Sequence, residues 1–390
     1  MRILDMATVL AAPFAATLCA DLGADVIKLE LPDGSDAMRA LSPVKDGVAL
    51  YWKVTNRGKR GITLDVRQPE GRALFLHLLR DIDVLVENFR PGTMDRWGLD
   101  AATLFGVNPR LVVLRLTGFG QTGPARARPG FARIFEAMSG FTHLNGQPDG
   151  PPLHMNFPVG DAVAGVFGAF AIAAEMVRMR SDPRASGAEI DLSATEAMLR
   201  MLDPLAVEYE QLGQVRTRNG NLASYTAPSN MYASADGRWF SLVASSETIY
   251  RRMCDAIGMP QLATDPRFAS NPLRVKHVAA LDATLAAWFG ARPYAEIAAT
   301  LDAAQVPFQP TQTIEDVLRD PHFAAREAIV RLPDPDLGSI PAPCIVPRVV
   351  GRAMPIPRSG PAVGEHNDAV WGGLGVDAVR LASLRERKIV

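Results

Sequence analysis

The chain has 390 residues, 48 % of them hydrophobic and 21 % charged, which supports two or three domains with a sizeable core and excludes global disorder. Lysine plus arginine number 41 against 42 acids, a net charge of −1, so no excess of charge steers the protein to nucleic acid or an anionic membrane. The three cysteines, Cys19, Cys254 and Cys344, stand far apart, which excludes a disulfide scaffold and a zinc finger and fits a reducing cytosol.

Asp5 interrupts the opening apolar stretch and no basic segment precedes it, so a secretory signal is not expected. The longest uninterrupted apolar run, Ala162–Ala174, is shorter than the roughly 20 residues of a membrane span. The expectation is a cytoplasmic protein without membrane or nucleic-acid partners. In chain order, Ile3–Met6 reads as a strand, followed by a helix with Pro13 in its first turn and a strand over Asp25–Leu29. Strand, helix and strand at this spacing make a βαβ unit and a parallel sheet. The pattern recurs through a strand at Gly61–Asp65, a helix at Pro69–Leu79, and strands at Val84–Glu87 and Leu111–Thr117. The fold class expected is α/β, a doubly wound, Rossmann-like large domain.

Gly187–Leu192 reads as a further strand, and Ser193 with Glu196 forms a capping box for the helix behind it. Gln214–Pro228 has little apolar period and reads as a linker or functional loop. Asp236-Gly237 signals a hairpin between Asn230–Ala233 and Trp239–Val243, and helices are predicted over Glu247–Ile257, Pro272–Phe289 and Pro293–Ala304. The predicted organisation is therefore 1–200 as the N-terminal part of the large domain, 201–224 as a linker, and 225–325 as a smaller α+β domain. Residues 326–390 return to complete the large domain, with a last helix near Ala378–Arg387.

Gly118-Phe119-Gly120-Gln121-Thr122-Gly123 matches the dinucleotide fingerprint, but Pro124 and the residues after it start no helix to hold a pyrophosphate. A turn beside a site is the better reading, and a nicotinamide-dependent dehydrogenase the weaker one. Basic residues crowd Lys53, Arg57, Lys59 and Arg60, with Arg67, Arg90 and Arg96 on later connections, where a coenzyme phosphate would suit them. Surface charge is the competing reading of each. Asp161 follows Gly160 and opens the alanine- and glycine-rich run, which reads as a closely packed buried helix. Local pattern leaves two roles open: a helix N-cap, or a carboxylate that attacks a carbonyl and forms a covalent intermediate.

At these residues the sequence resembles the family III CoA-transferases, the group that includes formyl-CoA transferase, carnitine CoA-transferase and the α-methylacyl-CoA racemases. The similarity runs through Val9–Pro13, Leu22–Glu30, Asn56–Arg60, Leu64-Asp65, Pro69–Gly71, Asp83–Gly92, Asp95-Arg96, Gly98 and Gly364–His366 with Leu374-Gly375. The resemblance implies CoA transfer through Asp161, by way of a mixed anhydride and an aspartyl-CoA thioester. It implies an acyl-CoA donor and a carboxylic acid acceptor as substrates, no permanently bound cofactor and no metal. It also implies an interlocked, ring-like homodimer. Matching positions for CoA binding are Leu10 and Ala11, Leu64, Asp65, Val66 and Arg67, Asn88, Phe89 and Arg90, and Arg96.

Several positions depart from the family pattern. Leu31 stands where formyl-CoA transferase has an arginine, and residues 216–230 lack its glycine-rich loop, so formyl-CoA and oxalate are not the expected pair. Phe131 replaces the proton-transferring histidine of the racemase branch. His154, nearest in sequence to Asp161, reads as a loop residue. Ala132 stands where transferases commonly carry an acid, which leaves Arg133, or the pair Arg216 and Arg218, to bind the distal carboxylate of a succinyl-type donor. Phe131, Arg133 and Gly160 are the substrate-pocket candidates. The alternatives kept are an α-methylacyl-CoA racemase or epimerase, and a non-catalytic CoA-ester-binding homologue in which Asp161 only caps its helix.

Overall fold

A computed structural model describes residues 1–390 and divides them into two units, one of 1–142, 154–214 and 326–390, the other of 143–153 and 215–325. In the first unit six strands form one wholly parallel sheet. Their spatial order is Lys59–Thr63, Asp25–Glu30, Arg2–Asp5, Val84–Glu87, Val112–Thr117, Ala188–Ser193. The winding therefore reverses between Arg2–Asp5 and Val84–Glu87, the place where ligands settle in doubly wound sheets.

A parallel sheet is covered on both faces, and the strand sequences alternate accordingly. Leu4, Ile27, Leu85 and Val113 pack with Leu74, Leu78 and Trp371. Ile3, Val26, Val84 and Val112 face the other way, onto Ala12, Ala15, Ala164 and Ile172. The strand at Lys59–Thr63 is an edge, and the C-terminal segment closes it. Gly61 N donates to His366 Nδ1 at 3.1 Å, and Thr63 N to Asn367 Oδ1 at 2.8 Å. The Gly364–His366 stretch that carried part of the resemblance thus clamps a sheet edge.

Helix Val159–Ser181 departs from its expectation as a buried helix. At 23 residues it is long and apolar enough to cross a membrane by length and composition, yet only one stripe is buried, from Gly160 through Ala164 and Gly168 to Met179. That stripe packs on helix Ala11–Asp21. A Cβ on Gly165 would lie 2.8 Å from the Ala11 carbonyl oxygen, so the two backbones meet where only glycine fits. Val166, Phe170 and Val177 are exposed.

The second unit carries a three-stranded antiparallel sheet, ordered Phe308–Pro310, Trp239–Val243, Ser229–Ala233, over a core of Tyr232, Phe240, Trp288 and Phe289. The predicted helix over 272–289 is two helices, Asn271–Lys276 and Val278–Gly290. The break follows Arg274, a wholly buried guanidinium held by the Ala227, Phe268 and Ser245 carbonyls and by Glu247. Residues 143–153, expected in the large domain, belong to this unit, tied to it by Gly220 N donating to the Gly146 carbonyl. Helix Pro204–Leu212 fills much of the stretch expected as a linker. Proline opens it and Gly213, at φ +64°, ends it.

Candidate active site

A cleft of about 220 Å³ opens at the reversal point, between the loop after Arg2–Asp5 and the loop after Val84–Glu87. Thr8, Val9, Leu10 and Ala11 form one wall and Asn88, Phe89 and Arg90 the other. Asn88 locks the two together: its Oδ1 accepts from Thr8 N at 2.9 Å and its Nδ2 donates to the Thr8 carbonyl at 2.8 Å. Val9 N donates to Asp36 Oδ1, and Val9 itself sits at φ +65°. A β-branched residue in the left-handed region costs about 1–3 kcal/mol and persists only where the surroundings impose it. Here Asn88 and Asp36 impose it from both sides.

The second wall is equally determined. Glu87, buried at the end of its strand, accepts from Phe89 N at 2.7 Å and pairs with Arg115 at 3.1 Å. Burial pushes the Glu87 carboxyl up, and Arg115 opposes that shift. Gly92, at φ +79°, turns the chain away behind Pro91. The conspicuous Val86–Gly92 stretch is thus a rigid loop that fixes the cleft's edge.

Asp161 lies in this cleft. It is the third residue of helix Val159–Ser181, not its N-cap: Pro158 holds that position, without a side-chain cap. The cap reading of Asp161 is therefore corrected. Its carboxyl is pushed up to about 6, first by burial and second by the charge of Glu136. Glu136, on helix Ala132–Met138, is 1 % exposed. Its Oε1 accepts from Gly160 N at 3.0 Å, and its Oε2 lies 3.4 Å from His154 Nδ1. Tyr51 also faces the site: burial and then the Asp161 charge raise its hydroxyl above the ordinary tyrosine value. The Thr117 hydroxyl lines the cleft, buried and without a partner.

Among the candidates from sequence, Leu10, Ala11, Asn88, Phe89, Arg90, Phe131 and Asp161 come together in the cleft. Leu64 and Val66 do not; they are core residues packed under the sheet. Asp65 binds Arg67 at 2.7 Å, and Arg67 lines a smaller cavity beside the cleft together with Leu31 and Phe89. Arg96 is exposed and bonded to Thr93 Oγ1. Gly160 is buried behind Asp161, and Arg133 is exposed and lines none of the cleft. Arg216 and Arg218 belong to the second unit, where Arg218 donates to the His143 carbonyl.

The basic cluster serves the fold instead of a ligand. Lys53 pairs with Asp334 and Asp336, Arg57 with Asp21, Lys59 with Asp5 and Arg60 with Asp25. The cations at the cleft are others: Arg126 and Arg128, on the irregular stretch after Gly118, line it beside Arg90, and none of the three makes an ion pair. Sequence reasoning passed over both, and over Thr8, Tyr51 and Glu136. Glu136 had a signal, since it lies one helical turn beyond the position where the acid was missed.

A six-stranded parallel α/β unit with an unbonded carboxylate at its reversal point belongs to the class of doubly wound folds, in which ligands bind outside the strands' carboxyl ends. Residues 1–367 match the family model described as CoA-transferase family III. The chain belongs to this family and is a CoA-transferase. It is 40 % identical over its full length, and over 97 % of the relative, to the succinyl-CoA–D-citramalate CoA-transferase of Chloroflexus aurantiacus. The β subunit of the succinyl-CoA–L-malate CoA-transferase of the same organism is 35 % identical, with 100 % of this chain and 97 % of the relative covered. A CaiB/BaiF family protein from Brucella suis superposes with a TM-score of 0.84 at 32 % identity, over 96 % of this chain and 98 % of that one.

Proposed function

We propose that the protein moves CoA from a succinyl-type acyl-CoA to a dicarboxylic acid through covalent catalysis by Asp161. The observation that carries the reading is the Asp161 carboxylate, free of hydrogen-bond partners and set in the cleft at the first turn of its helix. In the first step a carboxylate oxygen attacks the thioester carbonyl carbon. The C–S bond breaks, CoA leaves as thiolate, and a mixed anhydride remains. The thiolate then attacks the Asp161 carbonyl carbon, expelling the donor acid and leaving an aspartyl-CoA thioester. An acceptor carboxylate repeats the two steps in reverse order, so the thioester's energy is conserved.

Neither intermediate survives water, so the reaction needs water kept from the cleft while they last. Leu10, Ala11, Asn88, Phe89 and Arg90 are the CoA contacts of this reading. The two Chloroflexus relatives are named for succinyl-CoA and a hydroxydicarboxylic acid, and the guanidinia of Arg126 and Arg128 at the cleft, neither in an ion pair, support a substrate with a distal carboxylate. The exposed apolar side chains Val166, Phe170 and Val177, with Val207 and Leu212 on the next long helix, support a homodimer that covers them. The three free thiols suit the cytosol.

A CoA-exchange assay across acetyl-, succinyl- and glutaryl-CoA with malate, citramalate and succinate as acceptors tests the reading. Exchange confined to the dicarboxylic pairs, and absent in Asp161→Ala, is expected. Tight CoA-ester binding with no exchange into any acid would favour the non-catalytic homologue.

A further inference from the structure

Asp161 is the third residue of its helix, where an acid ordinarily folds back onto the N–H of the N-cap residue, but that residue is Pro158, which has no N–H to give. The N–H groups of the two residues before Asp161 are taken. Val159 N donates to the Phe157 carbonyl, and Gly160 N donates to Glu136, which reaches in from a different helix. The approach depends on small residues at the crossing, because a Cβ on Gly160 would stand 3.1 Å from the Ala132 carbonyl oxygen and 3.4 Å from Glu136 Cγ.

Resting on the reading of Asp161 as the nucleophile, we propose that Glu136 is its positioning residue: it holds the backbone N–H of Gly160, the residue directly before Asp161, and sets a like charge beside the attacking carboxylate. The first effect fixes the backbone beside Asp161, whose oxygens, with proline at the N-cap, stay unbound and available to a carbonyl carbon. The second makes the ionised aspartate costly in the resting enzyme, and acylation, which neutralises Asp161, relieves that cost. The raised Asp161 carboxyl, at about 6, accords with this arrangement. The acid expected at position 132 is thus supplied one helical turn further on.

The other charged groups around the pair are accounted for. Tyr51 faces Asp161 from helix Leu50–Thr55, and His154 faces the second oxygen of Glu136. On the strands beneath, Arg115 is bound to Glu87 and Glu189, and Asp191 accepts from Gln121 N. Helix Ala11–Asp21 has Asp21 at its far end, paired with Arg57. Glu196 and Arg200, on the helix packed beside Glu136, are exposed, and Arg90, Arg126 and Arg128 line the cleft.

The test titrates the Asp161 carboxyl carbon by 13C NMR in the free protein, the signal being assigned by its loss in Asp161→Asn. The midpoint is expected to fall by about 0.5–1 pH unit in Glu136→Gln, which keeps an acceptor for Gly160 N but loses the charge. Glu136→Asp, which keeps the charge, restores much of the midpoint. In turnover the acid limb of kcat/KM shifts with the midpoint, while kcat on the plateau falls about threefold and KM holds. An unmoved midpoint in a folded Glu136→Gln overturns the proposal. Because the titration needs no turnover, it reads Glu136 even if the wild type proves unable to exchange CoA, an outcome that sinks the nucleophile reading separately.

Discussion

Between residues 53 and 67 every basic side chain is matched to a carboxylate, whereas Arg90, Arg126 and Arg128 at the cleft have none. In sequence the first group is the denser and more tempting. In space Lys59 is fully buried against Asp5, Arg57 against Asp21, and Lys53 against Asp334, so each charge stitches one segment of the fold to another. Crowding of cations along a chain marked fold-building pairs here. The cations left for a ligand are sparse and lie on irregular loops behind strand ends.

The comparison breaks or sharpens under substitution. The largest effect belongs to the carboxylate in the cleft that the second set lines: Asp161→Ala is expected to lower CoA exchange by at least about 10³-fold in a steady-state assay, with the fold intact by circular dichroism. Next, Arg57→Ala leaves Asp21 buried without its partner and costs about 3–5 kcal/mol in urea unfolding, while the KM of the folded enzyme stays put. If Arg57→Ala weakened CoA-ester binding and left stability alone, the division between the two groups would collapse.

Asp161→Asn is expected to stabilise the protein by about 2 kcal/mol at pH 8. The folded-state carboxyl, at about 6, lies above its ordinary value, so the native state binds the proton more tightly than the unfolded chain. The cost of ionising Asp161 is therefore fully present above pH 6 and disappears as the pH falls towards 4. Thermal unfolding of wild type and variant across this range checks the sign. Activity moves the opposite way and declines below pH 6, as the nucleophile is protonated. Gly165→Ala, which drives a methyl group at the Ala11 carbonyl, should cost about 1–3 kcal/mol. Smallest of all, Arg126→Ala is expected to raise KM for succinyl-CoA about tenfold without touching stability, and Arg133→Ala to change neither.

The sheet was legible because its strands are short apolar runs and Pro69–Leu79 is a helix of plain period, both local signals. Asp161 was legible through Gly160 ahead of a small-residue helix, although local pattern alone could not separate cap from nucleophile. What removes the cap reading is Pro158, which takes the N-cap position, and the contact of Glu136, 24 residues earlier in the chain, with Gly160 N exists only after folding. The ion pairs of Lys53 and Arg57 span still longer separations, to Asp334 and Asp21, and no periodicity announces them. Arg126 and Arg128 were hidden differently. The stretch after Gly118 reads in sequence as a turn beside a site, and it does line the cleft, but nothing local says that its two arginines face it. Leu64 and Val66 matched a family motif by position, and the structure spends them on the core.

The most direct test of the account is peptide mapping of the protein after mixing with succinyl-CoA and quenching in acid. The account predicts a CoA adduct on the peptide that contains Asp161, released by hydroxylamine and absent from Asp161→Ala. A CoA adduct on any other residue, or full exchange activity in Asp161→Ala, would contradict it.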